Sequence, residues 1–213
     1  MMIKQWKSLN SKQKISNLIL YFVGVAIIPV GVVLTINAHL GAGGYDALNF
    51  VLAEILKIKT SYAIYGSSIV YILIGACLRR AHPRLETFIA SFFMGIFTDI
   101  WKRAFASVQG NNFLSSIVLM LLGTVIIAFC AACYMKSVFP PNPPDDLVKA
   151  LGERGMRLGM AKILFDVICV VLAFLLGGEI GVGTIIITLF LGPLIGLFYG
   201  RIERIVDGKK EES

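Results

Sequence analysis

Six apolar runs alternate with short polar segments along the chain: roughly Asn17–Thr35, Tyr62–Leu78, Thr87–Ile100, Phe113–Met135, Ile163–Leu176 and Thr184–Tyr199. An α-helix of about 20 apolar residues covers the roughly 30 Å hydrocarbon core of a bilayer, so runs of this kind predict membrane-spanning helices. The first and fourth are long. The third and fifth are about 14 residues each, a length that also suits re-entrant or buried helices. Two shorter stretches lie between the runs. In Ala47–Ile58 the residues Leu48, Val51, Leu52 and Ile55 share one helical face. A second stretch follows Asp145 and carries Lys149, Arg154 and Arg157. Both patterns predict amphipathic helices lying at a membrane surface.

The pattern repeats. Displaced by 99 residues, Gly24, Ile27 and Ile28 fall on Gly123, Ile126 and Ile127, and Asp46 and Leu48 fall on Asp145 and Leu147. Ile64 and Ile69 fall on Ile163 and Ile168. At 97 residues, Thr87, Ile89, Phe93 and Gly95 fall on Thr184, Ile186, Phe190 and Gly192. Each half then holds three spans, an odd number, which places the halves in opposite orientations. This is a plan that many transporters use, with their sites near the midplane between the halves. The expected fold is all-α: six transmembrane helices as two inverted three-helix repeats with short interfacial helices. Its parts are a basic arm (1–15), a first repeat (16–106), a second repeat (107–200) and a tail (201–213).

Composition agrees with membrane residence. The chain has 213 residues, 57% of them hydrophobic and only 15% charged, against about 25% charged in soluble domains. The net charge of +7 is an orientation signal. With both termini cytoplasmic, sixteen of the twenty Lys and Arg lie on the cytoplasmic side, and only Lys57, Lys59, Lys102 and Arg103 lie outside. This is the positive-inside distribution. It also keeps both short runs as crossings, because losing either breaks the alternation. Basic residues interleaved with aromatics, as a nucleic-acid surface requires, are absent. The lysines before the first run suggest a signal peptide, but about 19 apolar residues without a small-residue cleavage site predict an uncleaved span.

Gly41-Ala42-Gly43-Gly44-Tyr45-Asp46-Ala47-Leu48 follows the first run, and Pro143-Pro144-Asp145-Asp146-Leu147 follows the fourth. Leu176-Gly177-Gly178-Glu179-Ile180-Gly181-Val182-Gly183-Thr184 leads into the sixth, which contains Gly192-Pro193. In order and spacing these resemble the YczE/YyaS/YitT group of bacterial integral membrane proteins, most closely its YczE-like branch. The resemblance implies a polytopic protein of the bacterial cytoplasmic membrane and supplies no catalytic mechanism. The group often places an arginine one helical turn before an acid in the fifth span, where this chain has Lys162 before Asp166.

The candidate residues follow from charge and backbone chemistry. Asp46 and Asp145 are read as N-caps of the short helices or as ligands. Asp99 and Asp166 fall inside spans, where an acid is costly and marks either an ion pair or a site. Asp99 has Lys102 and Arg103 nearby in sequence, and Asp166 has Lys162. Thr184 can cap the sixth span, and Gly192-Pro193 can kink it. Gly183 precedes it, and Thr87 and Gly95 are the matching residues of the third span. Glycines at such places serve either a transport path or close helix packing. Lys149, Arg154 and Arg157 suit anionic lipid headgroups. Cys130-x-x-Cys133 lies within a span without further ligands, and His39 and His82 fall at opposite edges. No phosphate loop or nucleophile elbow occurs. The expected protein is therefore no enzyme and has no cofactor. It is a permease or solute-binding protein for a small molecule or ion, or else a membrane accessory or regulatory protein without transport. Its partners are the lipid bilayer and a small solute, an oligomer is left open, and nucleic acid is excluded.

Overall fold

The computed structural model describes residue 6, residues 9–178 and residues 180–208. Among the described residues there are eight α-helices and no strand. They are α1 (Ser11–Asn37), α2 (Gly44–Ile55), α3 (Thr60–Arg79), α4 (Phe88–Ala104), α5 (Phe113–Lys136), α6 (Pro143–Glu153), α7 (Leu158–Leu175) and α8 (Val182–Gly208). A 3-10 turn, Leu85–Thr87, leads into α4. A long helix, a short helix and two further helices thus follow one another twice.

Four helices, α1, α3, α5 and α8, are long and apolar enough to cross a membrane. The other two apolar helices, α4 and α7, have 17 and 18 residues, or about 26 and 27 Å of rise. Much of the outer surface is apolar, with Phe22, Ile69, Leu73, Phe113, Phe129, Phe174 and Phe190 all exposed. A surface of this kind needs a lipid covering.

Helix starts are set locally. The backbone N–H of Asn10 donates to Gln13 Oε1 at 3.0 Å ahead of α1. Asn112 and Ser115 exchange reciprocal bonds of 2.8 and 3.0 Å ahead of α5. α1 packs along α5, with α4 against α1 and α8 against α5. The seam between α1 and α5 is made of glycines. A Cβ added to Gly31 would stand 2.6 Å from the Gly123 carbonyl oxygen, and one added to Gly123 would stand 2.6 Å from that of Gly31. Only hydrogen fits there, which lets the two backbones touch.

The short helices lie inside the bundle, not at its surface. After α1 the chain turns back through Ala38–Gly43, and the Gly183 N–H donates to the Leu40 carbonyl at 2.7 Å. Gly44 then meets the backbone of Asp166, midway along α7, where an added Cβ would lie 2.4 Å from the carbonyl oxygen. Val51 lies beside Gly178, past the C-terminal end of α7. α2 thus starts in the middle of the bundle and runs out to one end. α6 starts at Asn142, whose Oδ1 accepts from Ser91 Oγ on α4 at 2.6 Å. It ends at Glu153, which pairs with Arg79 at the C-terminal end of α3. Because α2 ends where α3 begins, the two short helices run to opposite ends. The expected surface placement is corrected for a physical reason. Gly44, Ala47 and Ala53 in α2, and Pro143, Pro144 and Ala150 in α6, are buried beside the larger apolar residues, so each helix is covered on more than its apolar stripe.

Replacing Gly123 by leucine is expected to lower the unfolding midpoint of the detergent-solubilised protein, by overpacking worth about 1–3 kcal/mol or more. Gly66→Ala is the control. It faces open space in α3 and should be neutral or stabilising, because alanine favours a helix over glycine by about 1 kcal/mol.

Candidate functional site

The inner ends of α2 and α6 open on one cavity of about 80 Å³. α2 contributes Gly43, Gly44, Tyr45 and Asp46, and α6 contributes Asn142, Pro144 and Asp145. α7 adds Lys162 and Asp166, while Pro29, Met94, Thr98 and Leu191 close the remainder. Among the described residues, Asp46, Asp145, Lys162 and Asp166 are the charged side chains that line it. The volume is enough for several waters or one small solute.

The two helix starts are built alike. The N-cap of α2 is Gly43, and Asp46 is the third helical residue. The N-cap of α6 is Asn142, with Pro143 and Pro144 first and second and Asp145 third. Asp46 and Asp145 are therefore not the caps that their surroundings suggest. Proline tolerates the first turn of a helix because its N–H is not needed there, and Pro143 and Pro144 open α6.

The carboxylates differ in their partners. Asp166 is 2% exposed, and Lys162 Nζ donates to its Oδ1 at 2.9 Å. Their i, i+4 spacing puts both on one face of α7. Asp145 accepts from the Tyr134 hydroxyl. Asp46 is only partly covered and lines the cavity. Among the described residues no hydrogen bond and no ion pair ends on its carboxylate. The buried Tyr45 hydroxyl also has no hydrogen-bond partner. No three acids, histidines or cysteines converge to hold a metal ion among the described residues.

A second cavity of about 190 Å³ shares Asp145, Lys162 and Ile195 with the first and adds Lys149, Gly192, Gly196 and Tyr199. It lies toward the end of the bundle where α5 and α8 finish. The adjacent Asp146 is part of a clamp. Arg79 Nη1 and Arg84 Nη1 donate to its carboxylate at 2.6 and 3.0 Å, and Arg79 Nε donates to Glu153 at 2.7 Å. Asp145 thus faces the cavity, while Asp146, 5% exposed, fastens α6 to the end of α3.

The other expected residues lie elsewhere. Asp99 accepts from Ser61 Oγ at 2.6 Å in a separate cleft with Tyr62, Tyr65 and Arg103. Lys102 does not pair with it and instead donates to Thr60 Oγ1 at 3.1 Å. Thr87 Oγ1 donates to the Arg84 carbonyl at 2.7 Å, and Gly95 admits the Tyr65 ring. Thr184 is not a cap: α8 begins at Val182, and the Thr184 hydroxyl is buried without a partner. Gly183 is pressed against Leu40. Gly192 borders Lys162 and the second cavity, and α8 runs on through Pro193. Lys149 is half-buried, and Arg154 donates to the Leu78 carbonyl, while Arg157 is exposed. The reading of Glu179 falls outside the described residues. Sequence reasoning did not reach Pro29, Tyr134, Asn142 or the Arg79–Asp146–Arg84 clamp. The only advance signal for any of them was the alignment of Asn142 with Gly43 at the 99-residue displacement.

Residues 15–200 match the family described as DUF6198, a family of unknown function. The chain belongs to that family. Similar proteins include the Bacillus subtilis (strain 168) uncharacterized protein YyaS, 28% identical over 186 residues that cover 86% of this chain and 92% of YyaS. The uncharacterized membrane protein YczE of the same strain is 25% identical over 179 residues, covering 82% and 81%. An uncharacterized Haemophilus influenzae protein is 25% identical over 122 residues, covering 57% and 53%. No solved structure matches the chain at comparable significance. The membrane character of this DUF6198 member rests on its apolar helices and on its likeness to YczE.

Lys162→Met is expected to destabilise the protein by about 3–5 kcal/mol, since it strands a buried carboxylate. Adding Asp166→Leu should restore most of the loss. Unfolding midpoints of the two single variants and the double variant measure this, and independent, additive losses would contradict a coupled pair.

Proposed function

We propose that this DUF6198 member is a permease or solute-binding protein of the bacterial cytoplasmic membrane, with both termini cytoplasmic and the cavity between α2, α6 and α7 as its binding site. Six helices, α1, α3, α4, α5, α7 and α8, cross the bilayer as two inverted halves. Each half sends one short helix back from its own side to the centre. The carrying observation is that the N-termini of both short helices, one from each half, open on a single cavity holding Asp46, Asp145, Lys162 and Asp166. Irregular backbone at that depth is tolerated only where it is buried in protein or lines a cavity. Broken helices whose ends meet near the midplane are the usual way a transporter makes its site. A cavity of about 80 Å³ limits the solute to an ion or a molecule of a few heavy atoms. Alternating access would rock the halves about this point, with the second cavity as the cytoplasmic approach.

The test is a thermal-shift screen of the purified protein against small ions and metabolites. A solute at about 100 times its Kd stabilises the protein by about 2.7 kcal/mol, and Asp166→Asn should weaken that solute at least tenfold, about 1.4 kcal/mol. Equal stabilisation of wild type and Asp166→Asn would move the site elsewhere. No stabilising solute at all would favour an accessory role without transport.

A further inference from the structure

Asp46 is the one cavity carboxylate with neither a hydrogen bond nor an ion pair among the described residues. Asp166 has the Lys162 ammonium at 2.9 Å. Asp145 has the Tyr134 hydroxyl and stands in the field of Lys149 as well as Lys162. Among the described residues Asp46 has no hydrogen bond and no ion pair, and the charged groups facing it are Lys162, Asp166 and Asp145. Lys162 favours a negative charge on Asp46 but is bonded to Asp166, and Asp166 and Asp145 both oppose that charge. From α1, α4, α5 and α8 only uncharged residues reach the cavity, among them Pro29, Thr98, Ile127 and Leu191. The N-terminus of α2 supplies about half a positive charge, which is less than a carboxylate needs in such surroundings. An isolated carboxylate there either takes a proton or takes a cation. A metal cation needs several oxygen ligands at once, and no group of three or more His, Cys, Asp or Glu side chains is placed to hold one among the described residues. A single proton needs none.

We propose that Asp46 is a proton-binding site, and that loading and release of this proton accompany solute binding in the cavity; the second clause rests on the function proposed above. The step is a simple acid–base one. An O–H bond forms between a solvent proton and an Asp46 carboxylate oxygen, leaving a neutral acid, and the same bond breaks on release. No electron is transferred. The second cavity shares Asp145 and Lys162 with the cavity that holds Asp46.

The experiment is infrared difference spectroscopy on the purified full chain without added solute, between mildly acidic and mildly alkaline pH. Wild type is expected to show a protonated carboxylic-acid band at the acidic end that is lost at the alkaline end. Asp46→Asn should abolish this band, Asp145→Asn should keep it, and Asp46→Glu should restore a shifted one. Unfolding midpoints within a few degrees of wild type establish that each variant is folded. A band that survives Asp46→Asn, or that vanishes only in Asp145→Asn, overturns the assignment. So does a band at alkaline pH that appears when sodium is replaced by choline, because the occupant displaced would then be a metal cation. Since no solute is present, a negative result here leaves the solute-binding test untouched, and failure of the solute screen leaves this titration untouched.

Discussion

A helix that begins inside a protein leaves its first backbone N–H groups without intrahelical partners and turns the positive end of its dipole toward whatever lies there. Two helices of this chain begin that way, and both begin at the same cavity. Each places an aspartate at its third position, Asp46 in α2 and Asp145 in α6, where a negative charge suits the helix dipole. α6 also starts with two prolines, which have no N–H to satisfy. α2 starts with Gly44, which lets its backbone come against the Asp166 carbonyl. The two helix starts use different chemistry. That leaves one carboxylate bonded to a tyrosine and the other bare.

The surrounding helices keep these two starts in place. The glycine seam between α1 and α5 brings two long helices into backbone contact. α7 carries Lys162 and Asp166 on one face and supplies the wall against which α2 packs. At the far end of α6, Arg79 and Arg84 hold Asp146, and Arg79 also holds Glu153. Two adjacent aspartates thus serve opposite purposes: Asp146 anchors the helix, and Asp145 faces the cavity. The second cavity shares Asp145 and Lys162 with the first, so the charged groups stand where the centre opens toward the side at which α5 and α8 end.

Much of this was legible in the residues. Apolar runs mark the six longer helices, and a displacement of 99 residues pairs Asp46 with Asp145. The Lys162–Asp166 pair followed from helical spacing alone. The depth of the short helices did not follow. Eleven or twelve residues with one apolar face look the same whether the polar side meets water or a buried cavity. Side-chain partners far apart in the chain were also beyond reach. Ser61 with Asp99, and Arg79 with Asp146, are 38 and 67 residues apart and meet only through packing. Local charge spacing pointed instead to Lys102 and Arg103 for Asp99. Thr184 looked like a cap because threonine before an apolar run usually is one, yet α8 starts two residues earlier.

The meeting of the two helix starts is most directly tested by cross-linking across the cavity. In a background with Cys77, Cys130, Cys133 and Cys169 replaced, cysteines at Asp46 and Asp145 should be bridged by a short bifunctional thiol reagent in intact membranes. A pairing of Asp46 with Ser107, in the segment between α4 and α5, should not be bridged. Failure of the first pair to bridge, with both thiols shown to react singly, would contradict the convergence of α2 and α6 on one site.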